Sequence, residues 1–590
     1  MKTSSNKPRV PRLGGTLFIF CGIGLLLVLI AYPLACLLIQ MVLPNLFAEK
    51  MNLAPSLKPL IAVFTDKTTF LAVQNSVFIS LCGTLLALVI GTLSAFTTES
   101  FHGRIKKIGD GLVWLIFFLP SYVIAQGWVV CMQDGGLLSQ LFHLPTGWSA
   151  FFFTRFGIVL IFGLSFFPFV HITLKQGIRN LNRTLVNAAR VSGAGRTQTM
   201  FRIILPLLTP AWLAGGSIVF AEAFGDFGVA AAITPLSHIP LVPYQIYAAM
   251  DQQPVNYPAA AGLSFLVIVI SACSIALQFA FTRKRAFETV AVGRQDLFRP
   301  NRTASASFWV IAGIAIGAPL GSTLVVSLWK VWTKGPVMGN WTLAYYTKAL
   351  VPGGVSTNAL GISLQYALIT AAVTMVLGVL FAFQFTFQRS RLNTVLNFVT
   401  MSTIAVPGIV MGASFIFAWN AVWLIPINLV LYGTPVCLAM AYLATYIPYA
   451  IRIQAGAMRQ IPPNLLNAAL VSGANRFVML QRIVFPMVAG TAISTLFMTV
   501  TKVIFELPAA SLLYPAGDPP FSVIVEHYFS DFNWPQGSAN AIVGVLFIIL
   551  IYLVGQGVLS FFRKKMTSKP AVERQPAHRQ LLNETKEVSS

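Results

Sequence analysis

The sequence predicts an all-α polytopic membrane protein, with about twelve transmembrane helices arranged as two parallel six-helix repeats. Three observations lead there: an apolar composition with few charges, twelve apolar runs of spanning length, and a segment that recurs once at a fixed offset.

Of 590 residues, 56% are hydrophobic and 10% are charged, and the mean hydropathy is +0.75. A water-soluble domain carries about 25% charged residues. This chain has too few to cover a soluble surface of matching size, so lipid is one of its solvents. The net charge of +23 does not mark a nucleic-acid binder, because the basic residues are split among short segments between apolar runs. Cys21, Cys36, Cys82, Cys131, Cys273 and Cys437 form no C-x-x-C pair and no Cys/His cluster. They read as small buried hydrophobes, with neither disulfides nor a zinc site expected. His102, His143 and His171 show no metal spacing either and read as solvated or helix-end residues. The apolar run after Lys2, Lys7, Arg9 and Arg12 is too long for a signal-peptide core and has no clear cleavage site.

A helix needs about 20 apolar residues to cross the hydrocarbon core. The first six qualifying runs are 16–43, 70–97, 111–133, 150–174, 207–235 and 259–281. The second six are 308–331, 358–387, 396–421, 430–451, 487–515 and 538–562. Backbone groups in lipid must be satisfied within the segment, so each run is expected to be a helix. With the N-terminus inside, 32 of the 40 Lys and Arg fall in the two tails and in loops 98–110, 175–206, 282–307, 388–395 and 452–486. That asymmetry predicts cytoplasmic N- and C-termini. The expected organisation is a tail 1–15, a first membrane domain 16–281, a cytoplasmic linker 282–307, a second membrane domain 308–562 and a tail 563–590.

The repeat is carried by Asn187-Ala-Ala-Arg-Val-Ser-Gly-Ala-Gly-Arg196, which matches Asn467-Ala-Ala-Leu-Val-Ser-Gly-Ala-Asn-Arg476 at an offset of 280. The register continues through Arg202/Arg482, Ile203/Ile483 and Pro206/Pro486, and backward through Arg179/Arg459 and Pro168/Pro448. Six spans per repeat is an even number, so both halves enter the membrane in the same direction. A pseudo-two-fold axis along the membrane normal is expected to relate them. Both copies lie between the fourth and fifth spans of their half. Each reads as a short helix, a glycine break and a second helix. Thr184 or Asn464 is expected to cap the first helix, and Pro463 suits its first turn. Gly193 and Gly473 permit the positive φ that ends a helix. Pro206 and Pro486 suit the start of the following span.

These segments resemble the E-A-A-x3-G-x9-I-x-L-P loop of binding-protein-dependent ABC importer permeases. The first copy supplies Asn187, Ala188, Ala189, Gly193, Ile203, Leu205 and Pro206, and the second Asn467, Ala468, Ala469, Gly473, Ile483, Phe485 and Pro486. Asn stands for the family's Glu in both copies, and Phe485 for its Leu in the second. The resemblance implies a fused double permease of the bacterial inner membrane, a transport subunit and not an enzyme. It implies that each loop is a coupling helix docking on one of two cytoplasmic ABC ATPase subunits, and that a periplasmic solute-binding protein delivers the substrate. Membrane lipid surrounds such a chain, nucleic acid is no partner, and ATP is bound by the ATPase subunits. This chain needs no cofactor of its own: Gly193-Ala-Gly-Arg-Thr197 lacks the lysine and preceding strand of a phosphate-binding loop. Asp226-Phe-Gly228, Lys502-x3-Glu506-Leu-Pro508, Tyr244-Gln-Ile-Tyr247 and Pro258-Ala-Ala-Ala-Gly262 resemble the iron(III), thiamine and 2-aminoethylphosphonate group. Ferric iron is the leading expectation, ahead of thiamine and 2-aminoethylphosphonate.

Four charges fall within or near the ends of the fifth and eleventh spans. The offset of 280 places Glu222 over Lys502 and Asp226 over Glu506. A charge at the bilayer centre costs at least about 2.5–3.5 kcal/mol, so these groups are expected at the interface between halves. Either they line or gate a substrate path, or Lys502 pairs with Glu222 or Glu506 to fix how the halves pack. A twelve-helix secondary transporter of the major-facilitator type also has parallel halves. It would carry its repeated signature in loops 98–110 and 388–395, which do not resemble each other.

Overall fold

The computed structural model describes residues 22–44, 55–179, 181, 183–284, 302–388 and 390–567. The expected tail 1–15 and most of the linker 282–307 and of the tail 563–590 lie outside the described residues. The first half consists of α1 (Gly22–Val42), α2 (Lys67–Ser100), α3 (Gly103–Phe118), α4 (Ser121–Met132), α5 (Arg155–Arg179), α6 (Arg183–Val191), α7 (Thr209–Gly225), α8 (Phe227–Ser237), α9 (Val242–Asp251) and α10 (Tyr257–Gln278). The second consists of α11 (Arg302–Ser327), α12 (Val355–Phe387), α13 (Arg391–Ser402), α14 (Gly408–Trp419), α15 (Pro435–Met458), α16 (Pro463–Val471), α17 (Phe485–Ile504), α18 (Ala510–Leu513), α19 (Phe521–Ser530) and α20 (Trp534–Phe562). Among the described residues there is no strand beyond a bridge between Trp329 and Trp341.

Over their described residues all twelve expected runs are mainly helical, but four are interrupted, which corrects the reading of each as one helix. Run 111–133 turns through 95° between α3 and α4, and run 396–421 through 116° before α14. Runs 207–235 and 487–515 break at Asp226 and after Ile504. Pro120 and Pro407 explain the first two. Proline has no N–H to donate and pushes the preceding residue out of the helical region, and Leu119 and Val406 are extended at ψ 132° and 109°. Hydropathy reports apolarity and is blind to backbone continuity. Irregular backbone is tolerated at membrane depth where protein, not lipid, surrounds it.

Within each half the second and fourth spans form the core, α2 on α5 and α12 on α15. Small residues allow the close approach that helix packing in lipid relies on. A Cβ added at Gly91 would lie 2.6 Å from Val170 Cβ, and one at Gly378 would lie 2.9 Å from Ala450 Cβ.

The first span of each half packs on the other half. The Tyr32 hydroxyl of α1 donates to the Ala418 carbonyl of α14 at 2.8 Å and accepts from Trp423 Nε1 at 3.1 Å. Reciprocally, Ser322 of α11 donates to the Gly127 carbonyl of α4 at 2.8 Å. The halves are therefore exchanged at their opening helices.

Candidate functional site

The two repeated loops fold alike. α6 and α16 each end at a glycine of positive φ, +82° at Gly193 and +77° at Gly473. The amide of Ala194 donates to the Ala189 carbonyl at 3.0 Å, and that of Ala474 to Ala469 at 3.0 Å. This closes the last turn as a left-handed glycine allows. Asn187, Ala188, Asn467 and Ala468 are exposed, Ala189 is half-buried and Ala469 is buried. Val191 and Val471 are each 90% exposed, so each loop presents an apolar tip that no described residue covers. Ile203 and Ile483 are half-buried in π-helical turns, Met200–Ile204 and Leu480–Val484, that recur at the same offset. Pro206 and Pro486 lie in the first turn of the next helix, beside half-buried Leu205 and exposed Phe485.

The capping expectation is corrected. Pro463 is the first residue of α16 and Pro462 precedes it as the cap, so Asn464 lies inside the helix. Thr184 likewise lies inside α6, its side chain outside the described residues. The cap sequence reading missed is Asn475, whose Oδ1 accepts from the Val478 amide at 2.8 Å and starts the second short helix.

The four helix interruptions converge on a cavity of about 260 Å³ between the halves. Its walls are Phe117–Tyr122 from the α3–α4 break, Gly225–Gly228 from the α7–α8 break, Ile404–Gly408 before α14, and Phe505–Pro508 after α17. Tyr446 and Tyr449 of α15 and Ser165 of α5 complete it. The breaks interlock: Gly225 abuts the Pro407 ring, and a Cβ on Gly408 would lie 2.9 Å from Glu506 Oε1. Sequence reading missed Pro120 and Pro407, although each proline follows an apolar run in the equivalent span.

All four intramembrane charges line this cavity. Asp226 Oδ1 accepts from the Val229 amide at 2.6 Å. Its repeat mate Glu506 accepts from the Ala509 amide at 2.9 Å and the Ala510 amide at 3.1 Å. Both carboxylates therefore satisfy buried amides left without a helical partner at the start of a new helical segment, where negative charge is favoured. Lys502 Nζ donates to the Phe117 carbonyl at 3.2 Å and lies 4.9 Å from the centroid of the Phe117 ring, a cation–π arrangement. Among the described residues it makes no ion pair within 4 Å, so of the two alternatives a contact pair with Glu222 or Glu506 is not the arrangement seen. A shared face for residues four apart requires a continuous helix, and α17 ends at Ile504.

A second charged group escaped sequence reading because its members are far apart in the chain. Glu99 at the end of α2 meets Lys106 at 2.9 Å, Arg179 at 3.0 Å and Lys175 at 3.6 Å, and Lys175 also pairs with Asp110. His171, expected at a helix end or in solvent, is buried within α5 with Nδ1 2.5 Å from the Ser94 hydroxyl. In the second half Asn393 stands at the repeat position of Asp110 and accepts from Gln384 Nε2 at 2.7 Å, a neutral contact.

A family model described as "Binding-protein-dependent transport system inner membrane component" matches residues 87–286 and again 374–568. The chain belongs to this family. The permease is thus a multi-pass inner-membrane protein whose membrane domain occurs twice. It is similar over 525 residues, at 26% identity, to the "Putative ferric transport system permease protein FbpB 1" of Haemophilus influenzae, covering 84% of this chain and 78% of that one. Over 543 residues, at 23% identity, it matches the "Ferric transport system permease protein FbpB" of Actinobacillus pleuropneumoniae, covering 89% and 75%. A single-length relative, the "Sulfate transport system permease protein CysT" of Synechocystis, is 30% identical over 224 residues, 36% of this chain and 71% of that protein.

Proposed function

We propose that this permease carries ferric iron across the bacterial inner membrane as part of an ATP-driven importer. In this reading two copies of a cytoplasmic ABC ATPase dock on the loops, and a periplasmic solute-binding protein delivers the ion. The observation that carries the coupling assignment is the duplicated helix–glycine–helix loop, each copy ending in a valine 90% exposed. An apolar tip on an otherwise basic loop suits insertion into a cleft of another protein. Asn187, Ala188, Ala189 and Gly193 form one docking surface and Asn467, Ala468, Ala469 and Gly473 the other. Ile203, Leu205 and Pro206, with Ile483, Phe485 and Pro486, join these surfaces to the spans that line the cavity. ATP binds only the partner subunits. Domains 16–281 and 308–562 are the two membrane units, 282–307 is the cytoplasmic linker, and both termini are cytoplasmic, in keeping with the Lys and Arg distribution.

Ferric iron as substrate is supported by the names of the two long relatives and by the excess of carboxylates over amines in the cavity. The test is uptake into proteoliposomes containing the permease, its genomic neighbour ATPase and binding protein, with ferric iron, thiamine, 2-aminoethylphosphonate and sulfate offered separately. ATP-dependent uptake of ferric iron alone is the expected result, and selective uptake of any other solute refutes the assignment.

A further inference from the structure

We propose that Glu222 and Asp226 form a transient site for a hard, multiply charged cation in the inter-half cavity, and that Lys502 is the tethered counter-cation this ion displaces. The proposal rests on the reading of the chain as a cation permease and adds to it the residues that hold the ion at mid-path.

The two carboxylates are four residues apart across the end of α7, and both line the cavity. Asp226 lies just past the end of α7 in extended backbone, so what brings the two carboxylates together is the cavity they both line and not a helix face. Glu222 is half-buried on the cavity wall and makes no hydrogen bond among the described residues. Asp226 uses one oxygen as a helix cap and also accepts from the Ser121 hydroxyl. Two further residues of the cavity wall, Tyr122 and Ser165, are 3% and 5% exposed, and their hydroxyls have no hydrogen-bond partner among the described residues. Buried polar atoms without partners are uncommon in native proteins and call for a ligand, water or ion.

The donor set selects the class of ligand. It contains carboxylate and hydroxyl oxygens and neither thiolate nor imidazole, which suits hard cations over soft ones. An anion entering here would face Glu222, Asp226 and Glu506 against a single ammonium. Lys502 occupies the position of Glu222 in the other half, so the repeat sets a cation across the cavity from the carboxylate pair. Its ammonium is held by one carbonyl and one ring face, contacts weak enough for it to move toward the pair or away. A univalent ion would not outcompete a tethered ammonium, whereas a trivalent ion would.

The experiment uses the full-length chain in lipid nanodiscs and terbium(III) as the probe, its luminescence sensitised by Tyr446 and Tyr449 in the cavity wall. Glu222→Gln should weaken terbium binding at least tenfold, and Lys502→Met should strengthen it at least tenfold. The double variant should fall back to the level of Glu222→Gln. A merely structural role for these residues would lower stability without this opposed pattern. Should Lys502→Met fail to insert, Lys502→Gln carries the same expectation, and Lys502→Arg should leave the affinity unchanged. Equal affinity in folded wild type and Glu222→Gln overturns the site; weaker binding in the Lys502 variants overturns the counter-cation role. Phosphate binding that strengthens in Glu222→Gln would show an anion site and also overturn it. Absence of ferric uptake in the proteoliposome assay would refute the substrate reading instead, whatever the luminescence shows.

Discussion

Glu506→Ala should be among the most damaging single substitutions in the membrane region, and clearly worse than its repeat counterpart Asp226→Ala. Glu506 is 7% exposed, and its two oxygens accept from the amides of Ala509 and Ala510, both fully buried. Removing the carboxylate leaves two buried donors unsatisfied, at roughly 1–3 kcal/mol each. The sum, about 2–6 kcal/mol, is a large share of the roughly 5–15 kcal/mol that holds a typical protein folded. Asp226 satisfies one amide, that of Val229, and loss of a single helix cap costs about 0.5–2 kcal/mol. Glu506→Gln keeps one acceptor oxygen and should fall between. Thermal unfolding of the purified variants in detergent, followed by tryptophan fluorescence, gives the order directly, with membrane abundance as a check. The reasoning is refuted if Glu506→Ala melts with the wild type, or if Asp226→Ala is the less stable of the two.

Because Lys502 and Glu506 are not paired, Lys502→Met with Glu506→Gln should be no more stable than Glu506→Gln alone; rescue by the double change in the same melting assay would restore the ion pair. Gly193→Glu or Gly473→Glu should each abolish ATP-driven uptake at normal membrane abundance: a Cβ at either position meets nothing within 4 Å, the strain of a side chain at φ +82° or +77° is confined to the loop, and the added charge falls on the proposed docking face. Normal uptake in both single variants would remove the coupling role. Gly127→Ala sets a Cβ 2.5 Å from the Pro319 carbonyl oxygen across the exchanged first span, and overpacking of that kind typically costs about 1–3 kcal/mol; an unchanged melting temperature would show that α11 is not held there. A cysteine placed within 282–307 should be labelled from the cytoplasmic side alone and one within 236–256 from outside, so labelling of the linker in intact cells by an impermeant reagent would invert the topology.

The amino-acid sequence by itself determined the polytopic helical class and the duplication, while its twelve spans lie between the nine helices long and apolar enough to cross among the described residues and the thirteen obtained if each bent pair is one span. These follow from local properties: charge scarcity, run length, and identical residues such as Asn187–Gly193 and Asn467–Gly473 at one offset. The positive φ at both glycines was legible for the same reason, since a short helix followed by Ser-Gly-Ala has few other ways to end. The grouping of Glu222, Asp226, Lys502 and Glu506 on one cavity also followed from the repeat combined with the cost of charge in lipid. Tertiary structure decided how those charges are used. Glu506 turns to backbone amides because α17 stops at Ile504, and no periodicity argument carries a helical face across such a stop. It also decided that α1 and α11 cross to the opposite halves, and that Glu99 gathers Lys106, Lys175 and Arg179. Lipid-facing and partner-facing surfaces of a membrane helix are both apolar, so hydropathy cannot say which neighbour a span chooses. That choice is made by close packing and a few hydrogen bonds, such as Tyr32 to Ala418 and Ser322 to Gly127, between residues hundreds of positions apart.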